Sequence, residues 1–216
     1  MRPLFQDVFR TDFASPGFAL WNLGAISSAE LRRRMVELKL DLADQYRERF
    51  GRHLGYLSVA RFNQQVTTKF HLDGAPDESY LMLGYEPTVV RSEIAFADYT
   101  HAAFEVGVTP REYLERFNPM YAVHADRLAP YISRLDAFDP SSAQILLINN
   151  SAQAYVPGRM ASLGVMHQAT IPIVMPDESR VVNSAMLGVF DSPDQEPIGR
   201  DEVERFAGAM PVAGSY

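Results

Sequence analysis

The stretch Arg61-Phe62-Asn63-Gln64-Gln65-Val66-Thr67-Thr68-Lys69-Phe70-His71-Leu72-Asp73 decides the fold. Arg61, Asn63, Gln65, Thr67, Lys69, His71 and Asp73 share one parity, and Phe62, Val66, Phe70 and Leu72 share the other. A repeat of two predicts one or two β-strands with a polar face and an apolar face. In a half-exposed sheet this pattern means only that polar residues meet water and apolar ones meet the core. Aspartate is a poor strand residue, however, and a solvent face has no need of a His-x-Asp pair. A polar face can also line a barrel interior that holds an ion. Gly74-Ala75-Pro76-Asp77 then ends the strand in turn chemistry.

Further β patterns lie downstream. Ala143-Gln144-Ile145-Leu146-Leu147-Ile148 is a short apolar run bounded by Asn149-Asn150-Ser151. Pro157-Gly158 marks a turn, and Gly164-Val165-Met166-His167-Gln168-Ala169-Thr170-Ile171 reads as another strand. After the turn Pro176-Asp177-Glu178-Ser179 comes a last strand, Arg180-Val181-Val182-Asn183-Ser184-Ala185-Met186-Leu187. Arg180 and Ser184 are an even step apart and share a face. Two adjacent antiparallel strands joined by that turn would bring His167 and Arg180 near one another.

Helices flank the β pattern. Ser27 is placed as N-cap of a helix over about 28–49, with Glu30 closing a capping box and Ile26 and Leu31 forming a staple. Leu31, Met35, Leu38, Leu42 and Tyr46 form one apolar stripe, and Gly51 stops the helix. Arg32-Arg33-Arg34 sits among acids on this helix and reads as a solvated face. A helical insertion is expected over about 95–139, with a start at Thr109-Pro110-Arg111-Glu112 and breaks at Pro119 and Pro130. It can cover a pocket mouth or pack on the outside of a sheet. His53, His101 and His124 lack ligand partners at helical spacing and read as surface or packing residues. Phe70, Tyr80, Tyr85 and Tyr155 can line a pocket, although core packing is the simpler role for each. A short helix is also expected near Asp201 to Phe206.

Bulk properties narrow the classes. With 216 residues, 47% hydrophobic and 22% charged, the chain can bury one sizeable core, so a single domain over 1–216 is expected. A net charge of −7 with no basic cluster beyond Arg32-Arg33-Arg34 argues against a nucleic-acid partner. The absence of cysteine excludes disulfides, thiolate ligands and a cysteine nucleophile. No apolar run has the length of a membrane span, and the N-terminal residues do not form a signal peptide, so a cytoplasmic location is the expectation. Neither a Gly-x-Ser-x-Gly elbow nor a Gly-x-x-x-x-Gly-Lys loop occurs.

Two imidazoles and one carboxylate on one face of a metal leave open positions, the ligand set of non-haem Fe(II) oxygenases. His71, Asp73 and the distal His167, followed by Arg180 and Ser184, resemble in order and spacing the Fe(II)/2-oxoglutarate-dependent oxygenase superfamily. The apolar strand Ile145 to Ile148 with Asn149-Asn150, and Pro157-Gly158-Arg159 on the approach to His167, are similar to segments of that superfamily. His167 and Arg180 are 13 positions apart, a longer gap than usual there, and Ser184 follows Arg180 by four positions where two is commoner.

The resemblance implies a mainly β, double-stranded β-helix (jelly-roll, cupin-like) core with flanking helices. His71, Asp73 and His167 are implied as Fe(II) ligands and 2-oxoglutarate as co-substrate. Its far carboxylate would be held by Arg180, a task suited to a planar guanidinium, with a hydrogen bond from Ser184. Lys69, on the parity of His71, is a rival for that carboxylate. The implied activity is hydroxylation of a small-molecule or peptide-like substrate by O2, with release of succinate and CO2. Asp73 argues against a halogenase, in which that position is vacated. Two other readings fit the residues: a cupin-like metalloprotein without 2-oxoglutarate, and a non-catalytic small-molecule-binding barrel.

Overall fold

The computed structural model describes residues 2–117, 126–153 and 162–213. Pro119, His124, Tyr155 and Pro157-Gly158-Arg159 lie outside the described residues. The elements are α1 (Arg2–Val8), β1 (Phe18–Gly24), α2 (Ser28–Phe50), β2 (His53–Asn63), β3 (Ser79–Tyr85), β4 (Glu93–Ala97), α3 (Tyr99–Glu105), α4 (Pro110–Arg116), β5 (Ile132–Arg134), β6 (Ala143–Asn149), β7 (Met166–Thr170), β8 (Val181–Phe190) and α5 (Arg200–Gly208). The strands form a five-stranded sheet, β1-β6-β3-β8-β2, and a three-stranded sheet, β5-β4-β7. Every named strand pair is antiparallel.

Three apolar layers hold these elements together. On the outside of the large sheet, α2 lays down Leu31, Met35, Leu38, Leu42 and Tyr46 against Tyr56, Tyr80, Met82, Ile145, Leu147 and Leu187. Burial at about 1.5–3 kcal/mol per large side chain makes this stripe a main anchor of the helix. The Ser27 hydroxyl accepts from the Glu30 N–H, and Gly51 ends the helix in the left-handed region at φ 68°. A second layer brings together Leu81, Leu83 and Tyr85 of β3, Leu146 and Ile148 of β6, and Val182 and Met186 of β8 with Ile94, Phe96 and Ala169 of the small sheet. Because β3 and β6 are covered on both faces, every residue of each is buried. β6 is accordingly a near-continuous apolar run instead of an alternating one.

The third layer lies under α3 and α4. Tyr99, Ala102, Ala103 and Tyr113 pack with Ala97 and Met166 of the small sheet, and Phe70 and Leu72 join them. Thr109 and Glu112 complete the reciprocal cap that starts α4. The insertion expected as helical over about 95–139 thus also contains the end of β4 and all of β5, and its helices α3 and α4 pack on the outside of the small sheet. It also accounts for the alternation at the decisive stretch: Phe70 and Leu72 face these helices, and His71 faces the other way.

Three expectations need correction. Regular pairing in the decisive region covers His53–Asn63, and residues 64–70 form no regular strand. The Gln64 N–H reaches the Arg180 carbonyl of the large sheet at 3.0 Å, while the Thr68 N–H reaches Ala169 of β7 at 2.9 Å. The chain is thus leaving one sheet for the edge of the other, and no single ladder can hold it. Second, β7 and β8 belong to different sheets and are not paired neighbours. The turn between them crosses from sheet to sheet. Third, Arg32 is not solvated: it is 4% exposed and donates to the Phe206 and Gly208 carbonyls and to Ser28. Its partners are remote in sequence, so its charged neighbours on the helix gave no sign of them.

Candidate metal centre

His71 and His167 face one another across a two-way backbone pair. The His71 N–H donates to the His167 carbonyl at 3.2 Å, and the His167 N–H donates to the His71 carbonyl at 3.1 Å. Such directly opposed residues project their side chains to the same side. The ring centroids are 4.3 Å apart. The carboxylate of Asp73, two residues beyond His71, has Oδ1 3.5 Å from His71 Nε2. One donor atom from each of His71, Asp73 and His167 lies within 4.8 Å of the others, a group that can hold a metal ion.

The His71 ring is turned by its own backbone neighbour. Nδ1 is 2.7 Å from the Lys69 carbonyl, which requires a proton on Nδ1 and turns Nε2 toward Asp73. The hydrogen bond with Asp73 is the main reason that His71 holds its proton more tightly than an ordinary histidine; the Lys69 carbonyl assists and burial opposes. His167 behaves oppositely. Burial first, and then the charge of His71, push its pKa down to about 4, with Asp73 opposing. Burial works to raise Asp73, but the hydrogen bond from His71 and the two imidazole charges outweigh it and hold the carboxyl below the usual range. At neutral pH, His167 is a neutral imidazole and Asp73 a carboxylate, the protonation states that a metal ligand needs.

Arg180 sits just ahead of β8 and is 2% exposed. Its backbone N–H donates to Asn63 Oδ1 at 2.9 Å, and Nη1 donates to the Gln64 carbonyl at 3.2 Å. Its guanidinium carbon lies 5.1 Å from the centre of the Tyr85 ring. Nη2 is buried with no hydrogen-bond partner among the described residues. Burial raises the Tyr85 hydroxyl above its ordinary pKa, Arg180 pulls the other way, and Asp73 adds a smaller upward push. The same ring therefore lies within charge range of Arg180 and of the His71–Asp73–His167 group.

Of the other expected residues, Ser184 stands opposite Leu83 and Ala60, on the face of β8 that carries Val182 and Met186 into the layer between the sheets. Lys69 is exposed, and its described role is the carbonyl that meets His71. His53 pairs with Glu196 at 3.0 Å, and His101 stacks on Phe13 at 4.5 Å. Tyr80 belongs to the layer under α2. Gln64 and Asn150 touch Arg180 and Asp73 directly; in the sequence Gln64 is only a polar residue on the apolar parity of Phe62 and Val66, and Asn150 part of a turn.

No protein-family model matches this chain, and no curated protein sequence matches it. Among solved structures, it is similar to the "iron and alpha-ketoglutarate-dependent endoperoxidase NvfI", with 13% identity and a TM-score of 0.40 over 82% of this chain and 79% of that one. A variant of the same protein gives 14% identity and a TM-score of 0.41 over 88% and 84% of the two chains. Similarity of this degree assigns no activity.

Proposed function

We propose that this chain is a non-haem Fe(II)- and 2-oxoglutarate-dependent oxygenase acting with O2 on a small-molecule or peptide-like substrate. The observation that carries the reading is the placement of two imidazoles and one carboxylate within 4.8 Å, with His167 buried and His71 and Asp73 half-buried, near a Tyr85 ring that also meets the buried, half-partnered Arg180. That donor set leaves coordination positions open, as non-haem oxygenase sites require. A single domain with a jelly-roll core belongs to the proposal. The order β2-β8-β3-β6 packs through its apolar face on β7-β4-β5, and Thr68 and His71 bond the free edge of β7.

His71 through Nε2, Asp73 and His167 would hold Fe(II). The bound ion would supply activation of O2 by oxidative decarboxylation of 2-oxoglutarate to succinate and CO2, with hydroxylation of the substrate. Arg180 holds the far carboxylate of 2-oxoglutarate, because its Nη2 is a buried donor that needs an acceptor and a planar guanidinium fits a carboxylate. Tyr85 supports the guanidinium face, and Gln64 fixes Nη1, so the free edge keeps one direction. Ser184, on the same face of β8, adds a hydrogen bond. Leu81, Leu83, Ile148 and Met186 pack into the apolar layer between the sheets.

The test is anaerobic titration of the metal-free protein with Fe(II) and then with 2-oxoglutarate, followed by visible absorbance. A weak band that needs both components is expected. Iron binding without any 2-oxoglutarate band or affinity would replace the proposal with a cupin-like metalloprotein. No iron binding would leave a small-molecule-binding barrel.

A further inference from the structure

Asp73 stands where the backbone ladder has run out. His71 is paired with His167, but the chain turns away at once through Gly74-Ala75-Pro76-Asp77. A ligand at the start of a loop needs something to fix its backbone. Asn150, 3% exposed at the end of β6, meets this need. Its Oδ1 accepts from the Asp73 N–H at 2.9 Å, and its Nδ2 donates to the Asp73 carbonyl at 3.0 Å. A side-chain amide offers the same donor and acceptor as a peptide group, so Asn150 pairs with Asp73 as a neighbouring strand would. Aspartate, an acceptor only, lacks the donor.

The frame behind Asn150 is rigid. Nδ2 also donates to Ser79 Oγ at 3.1 Å, and the Asn150 N–H donates to the Ser79 carbonyl at 3.0 Å. The next residues continue the clamp: the Ala152 N–H reaches the Asp77 carbonyl at 2.8 Å, closing the far end of the Asp73 loop. On the other side, the Asn149 carbonyl accepts from the Val165 N–H at 2.8 Å, on the approach to His167. Added bulk is excluded at this contact, since a Cβ on Gly164 would fall on the Ser151 carbonyl oxygen. One short run, Asn149 to Ala152, therefore touches both segments that carry the candidate ligands.

We infer that Asn150 is a positioning residue that presents the Asp73 carboxylate to the metal by bonding both polar groups of the Asp73 backbone. This rests on the metal-binding reading above. Partners of this kind, one step removed from the ion, set ligand orientation, and their loss typically weakens metal binding about 10- to 100-fold.

The experiment uses the full chain with Mn(II) as a redox-silent probe, reading free Mn(II) by electron paramagnetic resonance beside thermal unfolding of the metal-free protein. Asn150→Ala is expected to bind Mn(II) about tenfold or more weakly. Ser151→Ala is the control, because Ser151 Oγ bonds the Ser79 backbone and Ser162 but not Asp73. It is expected to lower Tm and to bind Mn(II) like the wild type. Wild-type affinity in Asn150→Ala, or an equal loss in Ser151→Ala, overturns the inference. If Asn150→Ala does not fold, Asn150→Asp keeps the acceptor for the Asp73 N–H and removes the donor to its carbonyl. A loss of about tenfold is then expected, and unchanged affinity overturns the inference. Failure of the wild type to bind Mn(II) is a different result, since it removes the metal reading itself.

Discussion

Arg32 and Arg180 are both buried cations, and their surroundings differ in one respect. Arg32, between α2 and α5, donates through all three nitrogens: Nε to Phe206, Nη1 to Ser28 and Nη2 to Gly208. Glu86 stands 3.7 Å away and also takes a hydrogen bond from Arg61 at 3.0 Å. Arg180, on the interior side of β8, gives Nη1 to Gln64 and leaves Nη2 with no hydrogen-bond partner among the described residues. A buried donor without an acceptor costs about 1–3 kcal/mol, more when charged. A charge that serves the fold closes on the protein, as Arg32 does, whereas the open edge of Arg180 is what the proposed ligand role requires. The imidazoles follow the same rule. His53 is tied to Glu196, while His167 Nδ1 is buried with no hydrogen-bond partner among the described residues.

The strongest way to break this contrast is to remove the open group's charge on the metal side. Asp73→Ala is expected to abolish substrate-dependent succinate release and to remove tight Fe(II) binding, because it leaves two imidazoles and no anionic ligand. Retained turnover would show that the cluster is structural. The next effect concerns the arginine. Arg180→Ala is expected to raise the 2-oxoglutarate concentration for half-maximal turnover about 100-fold, the order of losing a buried charge pair, with Fe(II) affinity unchanged. An unchanged requirement would make Arg180 as closed a residue as Arg32.

Stability sharpens the same comparison without any ligand. Arg32→Met leaves the Phe206 and Gly208 carbonyls without their donor and is expected to lower stability by about 2–3 kcal/mol. Arg180→Met gives up the hydrogen bond from Nη1 to the Gln64 carbonyl, removes an Nη2 that has no acceptor among the described residues, and fills similar space with an apolar chain packed on Tyr85. It is expected to leave the Tm of the metal-free protein unchanged or slightly raised, as when buried charges give way to apolar residues. Thermal unfolding of the two variants side by side decides the point. Equal losses would mean that Arg180 contributes to the fold as Arg32 does.

The two regions were also unequally legible in the sequence. α2 could be read from Ser27, the apolar stripe and Gly51, because burial on one side leaves a periodic trace. β6 was legible as an apolar run, but β3, buried on both faces in the same way, carries two tyrosines, a serine and a glycine and went unread. β1, a half-buried edge strand, and the short β4 and β5 left too little periodicity to see. At the site, His71, Asp73 and His167 could be picked out by residue type and order, and the structure brings their donor atoms together. What escaped were the residues that act through long-range contacts. Asn150 looked like a turn and Arg32 like surface, since their partners lie 77 and 174 positions away. The sheet-crossing after Asn63 also escaped, because a period of two does not say which strand supplies the pairing.

The smallest expected effect lies in the closed network of β2. Glu196 accepts from the Tyr56 N–H at 2.7 Å, from Lys39 at 3.3 Å and pairs with His53 at 3.0 Å. Burial works to raise its pKa, but these three partners outweigh it and hold the carboxyl below its ordinary value. A carboxyl bound more weakly to its proton in the folded state stabilises the protein above its unfolded pKa and loses that contribution as pH falls through the folded value. The loss therefore begins near pH 4.5 and continues below it. Glu196→Gln is expected to cost about 1 kcal/mol at pH 7 and to flatten the fall of stability on the acid side. Denaturant unfolding at a series of pH values checks both. An unchanged acid slope would mean that Glu196 titrates alike in the folded and unfolded chains, and that this closed network is held by hydrogen bonds that do not depend on its charge.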